Sequence, residues 1–263
     1  MSERVQVSIE NHVAEVMLNR PEKFNALDLD MFCAIDAAAR RVEQEPCVRA
    51  VVLHGAGENF CAGIDIEALQ SGGEAAVKAL LGPAEGTPVT LAQRVAYAWR
   101  ELPMPVVCAL HGIAFGGGFQ IAMGADVRIA AVDSQLSIME SKWGIVPDMA
   151  ISSTLFGSVP EDVIKELAFT ARIFGADEAV THGMVTRIDE DPLTAARTLA
   201  AEISQRSPDA MRGIKRLVNA ASDLGELDAL ALEARIQGGV IGRPNQVEAV
   251  RANLEKRAPK FVD

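Results

Sequence analysis

The sequence predicts an α/β protein with a mixed β/α core over residues 1–195 and a helical C-terminal region over residues 196–263. Two observations support this division. Up to about residue 195, apolar runs of strand length alternate with patterns of helical period. Beyond it only helical patterns remain, and their broad apolar faces lie outside a completed core. Because such faces usually pack on a partner, we expect subunit association there.

The first predicted elements are a β-hairpin and a helix. Apolar and polar residues alternate over 5–9, and a second apolar run covers 13–18. This pattern is typical of two antiparallel strands. Asp28 or Asp30 is suited to cap the following helix, which ends near residue 43.

The next segment contains a strand, a short helix and an expected loop. Residues 48–53 are apolar except for Arg49 and predict a strand, and a helix is expected at 66–69. Residues 71–90 contain four glycines and two prolines. That composition predicts a long loop, because both residue types interrupt regular structure. Thr90 then begins a helix that ends before Pro103.

The remaining pattern predicts short strands followed by helices. Ser152 or Ser153 is expected to cap the first helix after the last of these strands. The predicted strands are 106–110, 127–131 and 135–139, and the predicted helices are 119–123, 163–170, 177–181, 193–205, 210–221, 229–238 and 246–256.

Composition excludes several classes of protein. The 263 residues are 49% hydrophobic, which suits a globular chain, and no run is long enough for a membrane span. The net charge of −11 argues against nucleic-acid binding. The four cysteines are widely spaced without a C-x-x-C pair, so we expect neither a disulfide scaffold nor a metal site. With no signal peptide at the N-terminus, we expect the reducing cytoplasm.

A run of three glycines at 116–118 is the most informative local feature. It stands between a strand-like run and a helical one, where glycine permits close backbone approach. The segment N-F-C-A-G-I-D at 59–65 also follows a strand and precedes a helix. Two such turns are able to present two backbone N–H donors to one oxyanion. A turn used only for packing is the alternative, since neither dinucleotide nor P-loop spacing fits.

Two carboxylates follow the glycine run. Glu140 and Asp148 lie among apolar residues, and burial of that kind raises a carboxyl pKa and suits acid/base chemistry. The alternatives are a helix cap by Asp148 or ion pairs with a nearby base. The bases in question are Lys142, Arg128 and Arg172.

Other reactive residues suggest structural roles. His111 adjoins the glycine run, where a turn-stabilising hydrogen bond is the preferred interpretation. Cys61 has no base near it in sequence, which indicates a small packed residue. A serine-hydrolase elbow is absent from the sequence.

Short motifs in a fixed order carry a family resemblance. They are N-R-P at 19–21, N-A-L at 25–27, F-C-A-G-I-D at 60–65, G-G-G at 116–118, the segment 140–148, G-M-V at 183–185 with Arg187, and L-E-K-R-A-P-K-F at 254–261. With them the chain resembles the crotonase, or enoyl-CoA hydratase/isomerase, superfamily over nearly its full length.

The resemblance implies both fold and chemistry. The fold is a spiral of ββα units with a C-terminal trimerisation region, as a homotrimer or hexamer. The substrate is an acyl-CoA thioester, whose CoA replaces any separate cofactor. The oxyanion donors match Ile64 and Gly117. The residues expected to contact CoA are Lys23, Ala26, Ala62, Asp65, Ile66 and Lys256, with Arg20 and Lys260 as further cations for the phosphates.

Departures from the family pattern bear on the reaction. Hydratases of the family carry two glutamates, which match Glu140 and Gln120, and the amide of Gln120 exchanges no proton. Dienoyl-CoA isomerases carry acids at these two positions and at Asp148. Catalysis by Glu140 and Asp148, with Gln120 orienting water or substrate, therefore implies C=C isomerisation or an unusual hydration.

A non-catalytic relative that binds CoA or a protein partner is the alternative. Two departures motivate it. Gln120 replaces an acid, and Glu67 stands where many members have a lysine.

Overall fold

The computed structural model describes residues 4–221 and 223–263, and a six-stranded sheet is the largest feature. The predicted hairpin forms its edge and is antiparallel, whereas the remaining neighbours pair in parallel. In sheet order the strands are β1 (Val5–Glu10), β2 (Val13–Leu18), β3 (Ala50–Gly55), β4 (Val106–Leu110), β6 (Val127–Ala130) and β9 (Arg187–Ile188).

A second, three-stranded sheet accompanies the first. It contains β5 (Ile113–Phe115), β7 (Gln135–Ser137) and β8 (Phe174–Gly175). The chain places β4 in the large sheet and β5 in the small one, and then repeats this with β6 and β7. One turn earlier, a parallel bridge joins Cys61 to Ala114. This recurrence confirms the expected spiral of ββα units.

The helices cover the sheets and form the C-terminal end of the chain. They are α1 (Leu29–Gln44), α2 (Ile66–Leu81), α3 (Leu91–Glu101), α4 (Gly117–Met123), α5 (Ile151–Thr154), α6 (Glu161–Thr170), α7 (Ala176–Thr181), α8 (Pro192–Ser204), α9 (Pro208–Ala221), α10 (Glu226–Val240) and α11 (Pro244–Leu254), with 3₁₀ helices at Pro21–Lys23 and Glu140–Trp143. Within the described residues, none of these helices combines the length and apolar character needed to cross a bilayer.

The loop predicted for residues 71–90 is wrong over its first half. Helix α2 continues to Leu81 and absorbs Gly73, whose φ of 56° and ψ of −150° kink it. The residues that follow Gly73 are mostly alanine, leucine, lysine and glutamate, which favour helix and outweigh the glycines. Irregular backbone remains between Gly82 and Thr90, where a capping box begins α3.

Two smaller expectations are also corrected. Ser152 and Ser153 lie inside α5, whose N-cap is Ala150 in a left-handed conformation without a side-chain cap. Strand β5 was not predicted, because three residues between Gly112 and Gly116 are too few for a periodic pattern.

Two cores hold the layers together. The large one joins α1 and α3 to one face of the sheet and contains Trp99 and Phe32, both buried. The smaller one packs Ala196 and Ala200 of α8 on the other face. Because residue 195 lies inside α8, we propose that the core extends through this helix and that the helical region begins with α9.

The structure decides between the two candidate caps of α1. Asp28 accepts a hydrogen bond from the Met31 backbone N–H at 2.8 Å and pairs with Arg4 at 2.6 Å. Asp30 lies exposed in the first turn. We expect Asp28→Ala to lower the free energy of unfolding by about 1–2 kcal/mol. Asp30→Ala is the matched control and should change it by less than about 0.5 kcal/mol. Urea denaturation measures both, and equal losses would contradict the assignment.

Candidate active site

Two backbone turns meet at the centre of the molecule. The first turn, residues 60–65, follows β3, and the second turn, residues 115–118, joins β5 to α4. The Cys61 N–H donates to the Ile113 carbonyl and the Phe115 N–H donates to the Cys61 carbonyl, each at 3.0 Å. These parallel bonds fix the two turns side by side.

Glycine is required for this contact. A Cβ atom on Gly118 would overlap the Cys61 carbonyl oxygen. Gly63 has a φ of +85°, and a Cβ there would lie 2.6 Å from the Phe115 carbonyl oxygen. Only glycine fits at either position, because the backbones touch and Gly63 is left-handed.

The two turns leave two N–H groups without a partner. Among the described residues, neither the Ile64 N–H nor the Gly117 N–H donates a hydrogen bond. Gly117 begins α4, where the first N–H groups have no helical acceptor. A Cβ on Gly63 would lie 3.3 Å from the Gly117 nitrogen, so the turns are adjacent here. Both residues border a cavity of about 80 Å³, called the central cavity below.

Glu140 borders the same cavity. It begins a 3₁₀ helix and is only 5% exposed. Its Oε1 accepts a hydrogen bond from Gln120 Nε2 at 2.6 Å, and its buried Oε2 has no partner among the described residues. Burial raises the pKa of Glu140, and the charge of Asp148 adds to this, although hydrogen bonds from its own backbone N–H and from Gln120 oppose it. The predicted acid/base residue therefore lies beside the two donors.

Gln120 lies behind Glu140 rather than in the cavity. It is fully buried on α4, and its Oε1 accepts a hydrogen bond from the Met149 N–H at 2.9 Å. Both of its polar groups therefore contact protein groups, and its expected role of orienting water or substrate stays a prediction.

Asp148 borders a different cavity. This second cavity, of about 350 Å³, also includes Ile151, Phe156 and Phe169. Burial raises the pKa of Asp148. The two carboxyls are joined by a short chain of contacts although their cavities differ. Asp148 precedes Met149, whose N–H donates to Gln120, and Gln120 donates to Glu140.

Among the residues that the structure describes, neither the ion pairs nor the helix cap considered for these two carboxyls is formed. Arg172 pairs with Glu166 and Glu178. Arg128 donates to the carbonyls of Ala125 and Met184. Lys142 stacks 5.7 Å from the centre of the Trp143 ring. The cap of the nearest helix is Ala150, not Asp148.

Five of the six expected CoA contacts lie around the first turn. Ala62 and Ile66 border the central cavity. The Asp65 carboxylate accepts from the Ala68 N–H at 3.1 Å, capping α2, and pairs with Arg20 at 2.8 Å. The Ala26 carbonyl accepts from Arg20 at 3.0 Å.

The expected cations differ in availability. Lys23 is half exposed and pairs with Glu67 at 3.2 Å. Arg20 is buried and already bound to Asp65 and Asp28, so it is not free to bind phosphate. Lys256 is exposed after α11, and no hydrogen bond or ion pair within the described chain joins it to the first turn. Lys260 is likewise exposed.

Asn25 supports the start of the first turn, although the sequence predicts no role for it. It is fully buried, and its Nδ2 donates to the carbonyls of Asn59 at 2.8 Å and Phe60 at 3.1 Å. Its φ of 56° is a conformation that asparagine tolerates better than most residues. The N-A-L motif was the only signal for it.

Two structural expectations are confirmed. His111 hydrogen-bonds the Gly57 carbonyl at 3.0 Å, so it stabilises a turn. Cys61 is fully buried, which raises the pKa of its thiol to about 12 and leaves it inert as a nucleophile.

In the described residues no group of three or more His, Cys, Asp or Glu side chains is arranged to hold a metal ion.

Comparison with known proteins agrees with this geometry. The family model for enoyl-CoA hydratase/isomerase matches residues 8–263. The chain is 33% identical to a short-chain-enoyl-CoA hydratase of Clostridium acetobutylicum, covering 94% of this chain and 93% of that protein. It is 31% identical to the mitochondrial Delta(3,5)-Delta(2,4)-dienoyl-CoA isomerase of Mus musculus, covering 99% and 82%. It also superposes on the crystal structure of an enoyl-CoA hydratase from Bacillus anthracis with a TM-score of 0.89 and 28% identity, covering 98% of each chain. The two turns, the buried glutamate and these matches together show that the chain belongs to the enoyl-CoA hydratase/isomerase family, with its crotonase fold.

Proposed function

We propose that this chain acts on an acyl-CoA thioester, and that Ile64, Gly117 and Glu140 carry the reaction. One observation supports this most directly. Two unpartnered backbone N–H groups and a buried carboxyl with a free oxygen border one small cavity. A thioester carbonyl oxygen gains negative charge when a neighbouring carbon loses a proton. Fixed donors stabilise that charge more than they stabilise the ground state.

Glu140 is the proton-transferring group in this proposal. Its carboxylate takes a proton from the α-carbon of the thioester, or from a saturated carbon linked to the thioester through C=C bonds, and the C–H electron pair moves to form the enolate. Isomerisation then returns a proton to a different carbon of the conjugated system. Hydration instead adds the hydroxyl of water to the β-carbon and a proton to the α-carbon.

The proposal favours isomerisation over standard hydration. Gln120 replaces the second carboxyl, and both of its polar atoms are engaged by Glu140 and Met149. Asp148, whose pKa burial raises, is the second acid/base in this proposal. Its apolar cavity suits the part of the acyl chain distant from the thioester.

The CoA moiety is proposed to lie along the first turn. Ala26, Ala62 and Ile66 contribute backbone and apolar contacts, and Asp65 holds the turn in shape. Lys23 supplies positive charge beside the turn, and Lys256 does so from a neighbouring subunit. No cofactor is expected beyond the CoA of the substrate.

We further propose a homotrimer or hexamer in the cytoplasm. Large apolar side chains are exposed on α9 and α10, among them Val218, Leu227 and Leu230. Such a surface on a chain of this composition is typical of a subunit interface. The free cysteines, two of them exposed, suit a reducing compartment.

A panel of enoyl-, dienoyl- and aromatic acyl-CoA thioesters in deuterated water tests the proposed function. Products are identified by mass and by deuterium incorporation. We expect the wild-type chain to exchange carbon-bound protons of at least one thioester. Glu140→Gln should lower that rate by about 10²–10⁴-fold, as is typical for loss of a general base. Glu161→Gln, an exposed site, is the control. A non-catalytic CoA binder would exchange nothing, and its acyl-CoA affinity would not depend on Glu140.

Two substitutions of Gly117 distinguish the effect of losing the N–H donor from the effect of adding a side chain. Gly117→Ala and Gly117→Pro both add a Cβ, which meets the Met149 sulfur at 2.7 Å, but only proline removes the N–H. We therefore expect Gly117→Pro to be slower than Gly117→Ala by about 10²–10³-fold in kcat, with thermal melting checking that both variants fold. Equal rates in two folded variants would remove Gly117 from the oxyanion site.

The pH dependence of the rate reports the environment of Glu140. Burial raises the pKa of Glu140, so its carboxylate becomes protonated at a higher pH than an ordinary glutamate. A base must be ionised to accept a proton. The rate should therefore fall on acidification with a midpoint above about 4.3, the usual value for glutamate. A pH profile of kcat/KM measures this, and a midpoint at or below the usual value would contradict it.

A further inference from the structure

Gln120 carries an inference that rests on the proposed function and deepens it. We propose that the Gln120 amide is a positioning residue that fixes Glu140, so that Oε2 is the one oxygen of that carboxyl which exchanges protons.

The orientation of the amide follows from its partners. The Met149 backbone N–H is able only to donate, so the group that faces it at 2.9 Å must be the Gln120 carbonyl oxygen. The NH₂ group then faces Glu140, where Nε2 and Oε1 are 2.6 Å apart. A flipped amide would bring its NH₂ group against the Met149 N–H, two donors facing each other. The orientation of the amide is therefore fixed by its partners.

This orientation makes the two oxygens of Glu140 unequal. Oε1 accepts from an N–H in both protonation states, because an amide N–H does not act as an acceptor. A proton on the carboxyl is therefore carried by Oε2, the oxygen without a partner among the described residues. The carboxyl lies against the second turn, since a Cβ on Gly116 would be 3.3 Å from Oε1.

Because the side chain at position 120 is an amide, Glu140 titrates without a second carboxyl in direct contact with it. A carboxyl at position 120 would lie at the same short distance from Glu140, and two carboxyls that close share one proton. The neutral amide donates to Glu140 and lowers its pKa without adding a charge. Asp148 is then the nearby ionisable group whose charge acts on Glu140.

The Gln120 amide also connects the helix of Gly117, the Glu140 carboxyl and the backbone beside Asp148. Gln120 is on α4 three residues after Gly117, it bonds Glu140, and it holds the backbone beside Asp148 through Met149. The Met149 side chain in turn packs near Gly117. One fully buried side chain thus fixes the donor, the base and the second carboxyl relative to each other.

Gln120→Met tests the proposal by removing both polar contacts at nearly constant volume. We expect kcat to fall by about 10²-fold, because the base is no longer held in place. We also expect the acid limb of the pH profile to move to higher pH, because the bond that lowers the Glu140 pKa is lost. Ile121→Val is the matched control. It removes a buried methylene from the same helix, so it should lower stability without moving the acid limb.

Gln120→Glu is the second variant. A protonated carboxyl reproduces the amide, with its O–H donating to Glu140 and its C=O accepting from Met149. This variant should therefore be active only while the pair holds one proton, which gives a bell-shaped pH profile instead of a single acid limb. Gln120→Glu with a wild-type profile would overturn the proposal.

The outcomes separate this proposal from the proposed function. If Glu140→Gln abolishes exchange while folded Gln120→Met keeps the wild-type acid limb, the positioning role is wrong and the function stands. If Glu140→Gln leaves exchange unchanged, the proposed function itself is wrong. A shifted limb in Gln120→Met together with an unshifted limb in Ile121→Val supports both.

Discussion

The candidate site depends on the direct contact of two backbone turns. Glycines at 63 and 118 allow it, because a Cβ on either would collide with a carbonyl oxygen of the opposite turn. The contact is held by main-chain hydrogen bonds of Cys61 and by Asn25, which donates to the carbonyls of Asn59 and Phe60 where the first turn begins. Donors fixed in this way need little reorganisation when charge develops beside them.

The electrostatics of Glu140 follow from the same packing. Its carboxyl is buried beside the second turn at Gly116, and this burial raises the carboxyl pKa. A buried carboxyl without partners is costly, and the amide of Gln120 offsets part of that cost at one oxygen only. Burial of the unpaired Oε2 lowers the stability of the fold. Such a cost is expected where that oxygen exchanges a proton with substrate.

The sequence predicted most elements and the chemistry of the site, but not its contacts. The hairpin alternates, β3 and β4 are apolar runs, and α9 has a strong helical period, so local pattern is sufficient to predict them. The predicted loop at 71–90 is wrong over 71–81 because the helix-forming residues that follow Gly73 outweigh the glycines. Glu140 and the two turns were recognised from residue type and order. The role of Gln120 and of Asn25 was not, because each depends on partners 20 or more residues away.

The charge around the first turn bears on how an acidic chain would hold CoA. The net charge of −11 disfavours a phosphate unless a cation is locally available. Arg20 is not available, because Asp65 and Asp28 engage it in a buried network. Lys23 is different, because its pair with Glu67 is exposed on both sides and such pairs contribute about 0–1 kcal/mol. We propose that a CoA phosphate, with more charge than one carboxylate, would displace Glu67 from Lys23 at little cost. In this proposal Glu67 is a weak partner that keeps Lys23 near the turn, and it does not prevent binding.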